Sequence, residues 1–504
     1  MFAAAPAAVP PDAGLETMKR SKKGEGISRR DFIQDTATLA ALVAAPMFIP
    51  SRLFRGSGVP SNRIRVGHIG AGRIATSHDW PGVAGHARAG QPYAHDLAES
   101  VAVADLDIRR AQNGTRVLAG LYSDKSWARP DVKVYQDYRE LLANPNIDAV
   151  TISLPDHQHA QVALAALWAG KDIYIQKPFT MTHAEGVMLR SEVARTGRVV
   201  QVGSQQRSWG PNEQFRHGVE AVRSGRIGKL KRVEIGLPTD PTAPDNPEQP
   251  VPPNLNYDMW LGPIPQLYYT EQRVHSQQVN AQGIPDVNSR PGWLRNEHTS
   301  LGMITGWGAH HFDTAHWGMN MENSGPIKVE GKGEFPTNKI WNVHGAYEIH
   351  LEYPGGIQMR ISDKLPNGIM FIGDEGWIWT SRDAQSQTAS DPTGRPASYK
   401  SLDASDPRLI DGTGITVHFP ASTSHHQNWL EHVIDRKTPL APAPVAHRAN
   451  AACIVSWIAM KLNRPLTWDP VKEQFVNDPE ANSMLTRKER EGYGALRMYG
   501  SRKA

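Results

Sequence analysis

The sequence predicts an α/β domain with a doubly wound parallel sheet, followed by an α+β domain on an open, mostly antiparallel sheet. Three observations carry this. From residue 63 to about 205, short apolar runs alternate with helical stretches, the pattern of β-α-β units with right-handed crossovers. After Gly225-Arg226-Ile227-Gly228 the runs become alternating strands joined by short Gly-containing turns, which suits a sheet with one covered face. The first apolar run, Arg65-Val66-Gly67-His68-Ile69, enters the glycine turn Gly70-Ala71-Gly72-Arg73-Ile74-Ala75.

That turn is the Gly-x-Gly-x-x-Ala form of a dinucleotide-binding Rossmann domain. Gly70 makes the tight turn, Gly72 lets the backbone approach a pyrophosphate, and Ala75 lets the helix sit close to the sheet. Arg73 and Ile74 open the helix whose N–H groups and dipole favour phosphate. Ser100-Val101-Ala102-Val103-Ala104-Asp105 reads as the second strand, and Asp105 as the acid for the ribose hydroxyls. Asp107 is the rival, but Asp105 ends the apolar run. An acid there favours NAD over NADP, whose phosphate it would repel. The span from Gly72 to Asp105 exceeds the usual ~20 residues, so Trp80 to His95 reads as an insertion. Asp148 to Pro155 is a buried strand that breaks at proline, and Asp156-His157-Gln158-His159 begins the next helix. Pro155, His157 and His159 then flank the cofactor. Asp172-Ile173-Tyr174-Ile175 is a strand ending in Gln176-Lys177-Pro178, and Val199 to Gly203 closes the sheet.

In the second half, alternation marks strands at Lys231–Gly236, Ile327–Gly331, Ala346–Tyr353, Ile357–Ile361, Ile369–Ile372 and Trp377–Trp379. Residues 381–420 read as a long surface loop. His426 to Ile434 and Ala446 to Leu462 read as helices able to pack back on the first domain. The expected boundaries are 63–205 for the Rossmann domain, 206–465 for a substrate and oligomerisation domain, and 466–504 for a C-terminal tail.

Ahead of these domains lies an export pattern. Lys19, Arg20, Lys22 and Lys23 lead to Ser28-Arg29-Arg30-Asp31-Phe32, and an apolar run follows. This is a twin-arginine signal over residues 1–50 with a linker at 51–62. The twin-arginine machinery is then a partner and the periplasm, or another exported location, the destination. That route carries folded proteins, so a tightly bound cofactor travels with the chain. The net charge of +4 has no basic block beyond the N-terminus, so nucleic acid is not an expected partner. The single cysteine, Cys453, excludes an internal disulfide and a cysteine-based metal site.

The ordered set Gly70-Ala71-Gly72, Leu154-Pro155-Asp156-His157-Gln158-His159, Gln176-Lys177-Pro178 and Gln201-Val202-Gly203-Ser204-Gln205 resembles the Gfo/Idh/MocA oxidoreductases, from about Ile64 to the C-terminus. The resemblance implies NAD, with Gln176 and Lys177 beside the nicotinamide and Lys177 at a substrate hydroxyl. It implies that His310, in Gly306-Trp307-Gly308-Ala309-His310-His311-Phe312-Asp313, shares the proton work with Lys177. Two positions depart from the family: Gln176 stands where Glu is commoner, and Gly306 where many members have Asp. Asp313, one helical turn from His310, is a candidate helper. Gln205, Arg207, Trp260, Trp307 and His311 complete the expected sugar contacts, with Trp293 a further stacking candidate. His310 and His311 are adjacent on a helix and point ~100° apart, so no metal site is expected. The resemblance also implies a homo-oligomer, dimer or tetramer.

The reading is an exported NAD-dependent oxidoreductase acting on the CH–OH group of a carbohydrate or polyol. A cofactor that cannot exchange after export suits a redox-neutral alternative, a glycosidase working by oxidation, elimination and reduction. A third alternative is a non-catalytic sugar-binding protein on the same fold.

Overall fold

The computed structural model describes residues 63–86, 95–123, 125, 131–208, 213–382, 398–422 and 424–503. The export signal, the 51–62 linker, part of the 80–95 insertion and part of the 381–420 loop lie outside the described residues.

Six parallel strands form the first sheet: β1 (Ile64–Ile69), β2 (Ala98–Ala104), β3 (Lys133–Tyr135), β4 (Ala149–Ile152), β5 (Asp172–Ile175) and β6 (Val200–Val202). Their spatial order is β3-β2-β1-β4-β5-β6. β1 pairs with β2 on one side and with β4 on the other, so the order reverses there and opens a crevice at the strands' C-terminal ends. All residues of β4 and β5 are buried, as a sheet covered on both faces requires. Side-chain caps start the helices: Asp107 accepts from Arg109 N, and Thr182 and Glu185 close a capping box.

The described segment after the glycine turn, up to residue 86, is packed inward. It continues as a π-wound turn, Ala75–Asp79, and a short helix, Trp80–Ala84. Trp80 is fully buried, and a Cβ on Gly114 would come within 2.9 Å of its indole. The helix His425–Asp435 covers the same side of the sheet, its Trp429, Leu430 and Val433 clustering with Ile64, Val66 and Tyr174.

The second sheet has nine strands in the order β13-β12-β11-β7-β10-β9-β8-β14-β15. They are β7 (Leu230–Gly236), β8 (Lys328–Gly333), β9 (Tyr347–Glu352), β10 (Gln358–Ser362), β11 (Gly368–Gly373), β12 (Trp377–Thr380), β13 (Leu402–Ala404), β14 (Leu466–Asp469) and β15 (Gln474–Phe475). Among the described strands of this sheet, only β7 and β10 pair in parallel. One face buries Val233, Ile235, Ile349, Leu351 and Ile361 with residues of the helices Gly308–Met319 and Ala443–Leu462. The other carries charge, with Arg360–Glu348 at 2.5 Å and Lys328–Glu352 at 2.9 Å.

Residues 466–504, expected as a tail, are integral. β14 pairs with β8, and Trp468 and Phe475 are buried in the sheet's core. Arg487 donates to Glu185 Oε1 at 2.7 Å, and Ala495 joins the core of the first domain. The alternating Leu466-Thr467-Trp468 was the strand signal.

Candidate active site

One cleft runs from the glycine turn to the second domain. At its first end Gly70 has φ +96°, and a Cβ there would stand 2.3 Å from Ser153 O, so only glycine makes this turn. A Cβ on Gly72 would meet nothing nearer than Arg110 Nη1 at 3.8 Å, leaving the backbone open to a ligand. These features fit a pyrophosphate over the helix start, where Arg73 and Ile74 line the wall. Asp105 lines the cleft and Asp107 does not. Asp105 accepts from Ala71 N and Asp107 N, both at 2.8 Å. Burial, opposed by Arg110, pushes its carboxyl up to about 6. Asp107 is engaged by His275 Nε2 at 3.2 Å and Gln277 Nε2 at 3.1 Å.

Pro155, Gln176 and Lys177 line the middle of the cleft, but His157 and His159 do not. His157 Nε2 bonds Trp260 O at 2.8 Å, and His159 bonds Pro178 O at 2.7 Å and Leu154 O at 3.0 Å. Both rings anchor backbone behind the cofactor wall, because the helix Asp156–Trp168 turns them into the protein.

The titratable residue of this loop that faces the cleft is Asp156. Its carboxylate is buried and accepts from Ser300 Oγ at 2.8 Å. Burial pushes it up to about 7, against the pull of Lys177 and the Ser300 bond. Asp156 was not among the expected site residues, although an acid at the first helical position after β4 sits where such sheets bind ligands. Lys177 Nζ donates to Gly306 O at 2.8 Å. Gly306 thus supplies a carbonyl where a carboxylate was expected.

His310 lines the cleft beside Trp307, with ring centroids 6.0 Å apart. Burial, then the nearby Arg382 and Lys177, holds its pKa well below the usual histidine value, so the ring is neutral. Its Nδ1 is buried with no hydrogen-bond partner among the described residues. Arg382, also on the cleft wall, stands 4.6 Å over the Trp307 ring.

Among the expected sugar contacts, Gln205, Trp260, Trp293 and Trp307 line the cleft. Arg207, Asp313 and His311 do not. Arg207 makes a buried bidentate pair with Asp313 at 2.7 and 3.0 Å and reaches Glu322 at 2.8 Å. His311 bonds Asn367 at 2.8 Å and Gln206 at 3.1 Å. His316 bonds Tyr353 at 2.8 Å, so His310, His311 and His316 diverge.

Gln176 has a local reason to be an amide. Its Nε2 donates to Asp79 Oδ1 at 2.8 Å. A glutamate here would set two buried carboxylates against each other.

Two family models cover most of the chain. Residues 64–204 match the oxidoreductase family's NAD-binding Rossmann fold, and residues 243–495 its C-terminal alpha/beta domain. The chain belongs to the Gfo/Idh/MocA oxidoreductase family. An inositol 2-dehydrogenase of Pseudomonas fluorescens is 31% identical over 169 residues, 33% of this chain and 43% of that one. The chain therefore spans less than half of that relative's length. A putative myo-inositol dehydrogenase structure from Sinorhizobium meliloti superposes with TM-score 0.51 at 19% identity, over 80% of this chain and 99% of the other. The WlbA dehydrogenase of Chromobacterium violaceum, solved with NADH and UDP-GlcNAcA, gives TM-score 0.54 at 15% identity, over 82% and 99%. At these identities the structures speak to the fold. Within this Gfo/Idh/MocA fold, the Lys177, Asp156 and His310 side chains come from both domains and meet at one cleft.

Proposed function

We propose that this chain is an NAD-dependent oxidoreductase that moves hydride between nicotinamide and a carbinol carbon of a carbohydrate or polyol. The observation that carries this is the cleft itself, which joins a glycine turn shaped for pyrophosphate to Lys177, Asp156 and His310. Gly70, Gly72, Arg73, Ile74 and Asp105 would hold the dinucleotide, which when bound supplies the hydride acceptor. His310, neutral and buried, takes the hydroxyl proton. Lys177 stabilises the oxygen as it gains negative charge, its ammonium steered by Gly306 O. Trp260 and Trp307 wall the cleft and exclude water. The Asp105 carboxylate favours NAD over NADP. Export by the twin-arginine route, a periplasmic location and assembly into a homo-oligomer through the open sheet face belong to the same proposal.

The test is purification with the near-ultraviolet spectrum recorded, then turnover of sugars and polyols. Lys177→Ala is expected to keep the nucleotide and lose turnover. Full activity in that variant, or a protein that binds no nicotinamide nucleotide, refutes the proposal.

Asp156 favours a second reading. A simple dehydrogenase needs one proton acceptor, whereas oxidation, elimination and reduction also need a base for the C–H made acidic by the new ketone. A carboxyl at about 7 suits that step. Release of aglycone from aryl glycosides without added NAD supports this second reading, while ketone accumulating only with added NAD supports the first.

A further inference from the structure

His78 lines the cleft from the π-wound turn Ala75–Asp79, a winding that is rare and concentrates at functional sites. Its neighbour Asp79 is fully buried. Asp79 Oδ2 accepts from Ser153 Oγ at 2.7 Å, and Oδ1 accepts from Gln176 Nε2 at 2.8 Å and faces His426 Nε2 at 3.1 Å. His78 Nδ1 stands 3.6 Å from the same Oδ1. Among the described residues no lysine or arginine pairs with this carboxylate. Two imidazole nitrogens and one carboxylate oxygen thus converge beside the cleft.

The spacing fits a metal ion. The three ligand-type atoms of His78, Asp79 and His426 lie within 4.8 Å of one another. Zinc bonds to nitrogen and oxygen of ~2.0–2.1 Å at a tetrahedral angle place ligand atoms about 3.3 Å apart. The two pairs that share Asp79 Oδ1 bracket that value at 3.1 and 3.6 Å. The surroundings hold the ligands in place. A Cβ on Gly82 would sit 2.3 Å from the His426 ring, so glycine makes room for it, and Tyr174 packs on its face at 4.4 Å. Ser153 and Gln176 are the outer-shell hydrogen bonds that orient a ligating carboxylate. A second histidine–carboxylate cluster among the described residues contrasts with this one. There Glu473 is already neutralised by Arg190 at 2.7 Å and Arg448 at 2.8 Å, beside His183 and His447.

We propose that His78 Nδ1, Asp79 Oδ1 and His426 Nε2 bind a divalent first-row transition-metal ion, with an open position at the cleft for a substrate or water oxygen. Two imidazoles and one carboxylate suit Zn²⁺, Fe²⁺ or Mn²⁺. No metal site was expected from the sequence, where only the adjacent His310 and His311 suggested one; this site departs from that expectation because its ligands are brought together across the fold. An ion here would add a Lewis acid to the cleft that holds Lys177 and His310. The binding itself does not depend on hydride transfer.

The experiment uses the full chain, stripped with a chelator and titrated calorimetrically with Zn²⁺, Mn²⁺ and Co²⁺ separately, with the visible Co²⁺ spectrum as a second readout. One equivalent should bind. His78→Ala and His426→Ala should each weaken binding by more than the roughly 10–100-fold typical of losing an outer-shell partner. His183→Ala should leave it unchanged. His78 is the cleft-facing ligand, so its variant reports even if His426→Ala fails to fold. Absence of stoichiometric binding by any of the three ions overturns the proposal, as does unchanged binding in His78→Ala. Nucleotide binding, measured on the same stripped protein, separates this result from the fate of the proposed oxidoreductase activity.

Discussion

Gln176→Glu tests the geometry at its most sensitive point. The wild-type amide gives Asp79 a hydrogen bond of 2.8 Å inside a fully buried pocket. The substitution removes a bond to a charged acceptor, worth ~1.5–3 kcal/mol. It also sets a second carboxyl against Asp79, and two such groups in contact cannot both ionise. The new glutamate must therefore keep a proton in the folded state, with a pKa raised above its unfolded value of about 4.3. The sign follows from proton binding. Below that unfolded value both states are protonated and the variant carries no charge penalty. Above it the unfolded chain releases the proton and the folded chain does not, so stability falls by about 1.4 kcal/mol per pH unit until the folded pKa is passed. Denaturant unfolding of chelator-treated wild type and variant, side by side from pH 4 to pH 8, reads this directly. The deficit should widen steadily from acid to neutral pH. A deficit independent of pH, or none, would mean that Gln176 does not face an ionised Asp79.

Asp156→Asn should remove an ionisation near pH 7 from the kcat/KM profile and lower activity by roughly 10²–10⁴-fold; an unchanged profile would remove Asp156 from the proton chemistry. Gly306→Asp meets only Met303 Sδ at 3.9 Å from the new Cβ, so the fold should hold within about 1 kcal/mol, while the carboxylate beside Lys177 should shift the pH optimum. Gly70→Ala forces a Cβ to 2.3 Å from Ser153 O at φ +96°, and both nucleotide binding and soluble expression should be lost. Arg207→Ala breaks a buried ion pair and should cost about 3–5 kcal/mol of stability, read as a lower denaturation midpoint, with KM of the surviving enzyme near wild type.

The sequence was informative wherever one residue's role is fixed by its own neighbours. The strand entering Gly70 and Gly72, the acid ending β2 and the alternation in β7 to β12 are local patterns, and the structure places each within a residue or two. Lys177 followed from its place at the end of β5. The misplaced assignments, His157, His159, Arg207, His311 and Asp313, share one cause. Each lies near the site in sequence, but side-chain direction is set by distant contacts: Trp260 for His157, Glu322 for Arg207, Asn367 for His311. The same holds for what was missed. Asp156 is bonded by Ser300, 144 residues away, and Asp79 faces His426, 347 residues away.

These long separations also explain how the proton-handling groups acquire their tuning. Lys177 and Asp156 stand on the rim of the parallel sheet, whereas Gly306 O, Ser300 Oγ and His310 come from the second domain. On a solvated rim Asp156 would titrate as an ordinary carboxyl. The walls contributed by the second domain exclude water, and burial is the largest influence on both Asp156 and His310. It acts in opposite senses, raising the acid and lowering the base, because in each case it penalises the charged form. Docking of the two domains thus produces a protonatable carboxyl near 7 and a neutral imidazole at one cleft. Neither helix carrying them would do so alone. Ser300 opposes burial by hydrogen bonding to the ionised form of Asp156, although it does not line the cleft. Ser300→Ala should therefore move the Asp156 ionisation to higher pH. An unchanged pH–rate profile, or a shift to lower pH, would refute the claim that this bond across the two domains tunes the acid.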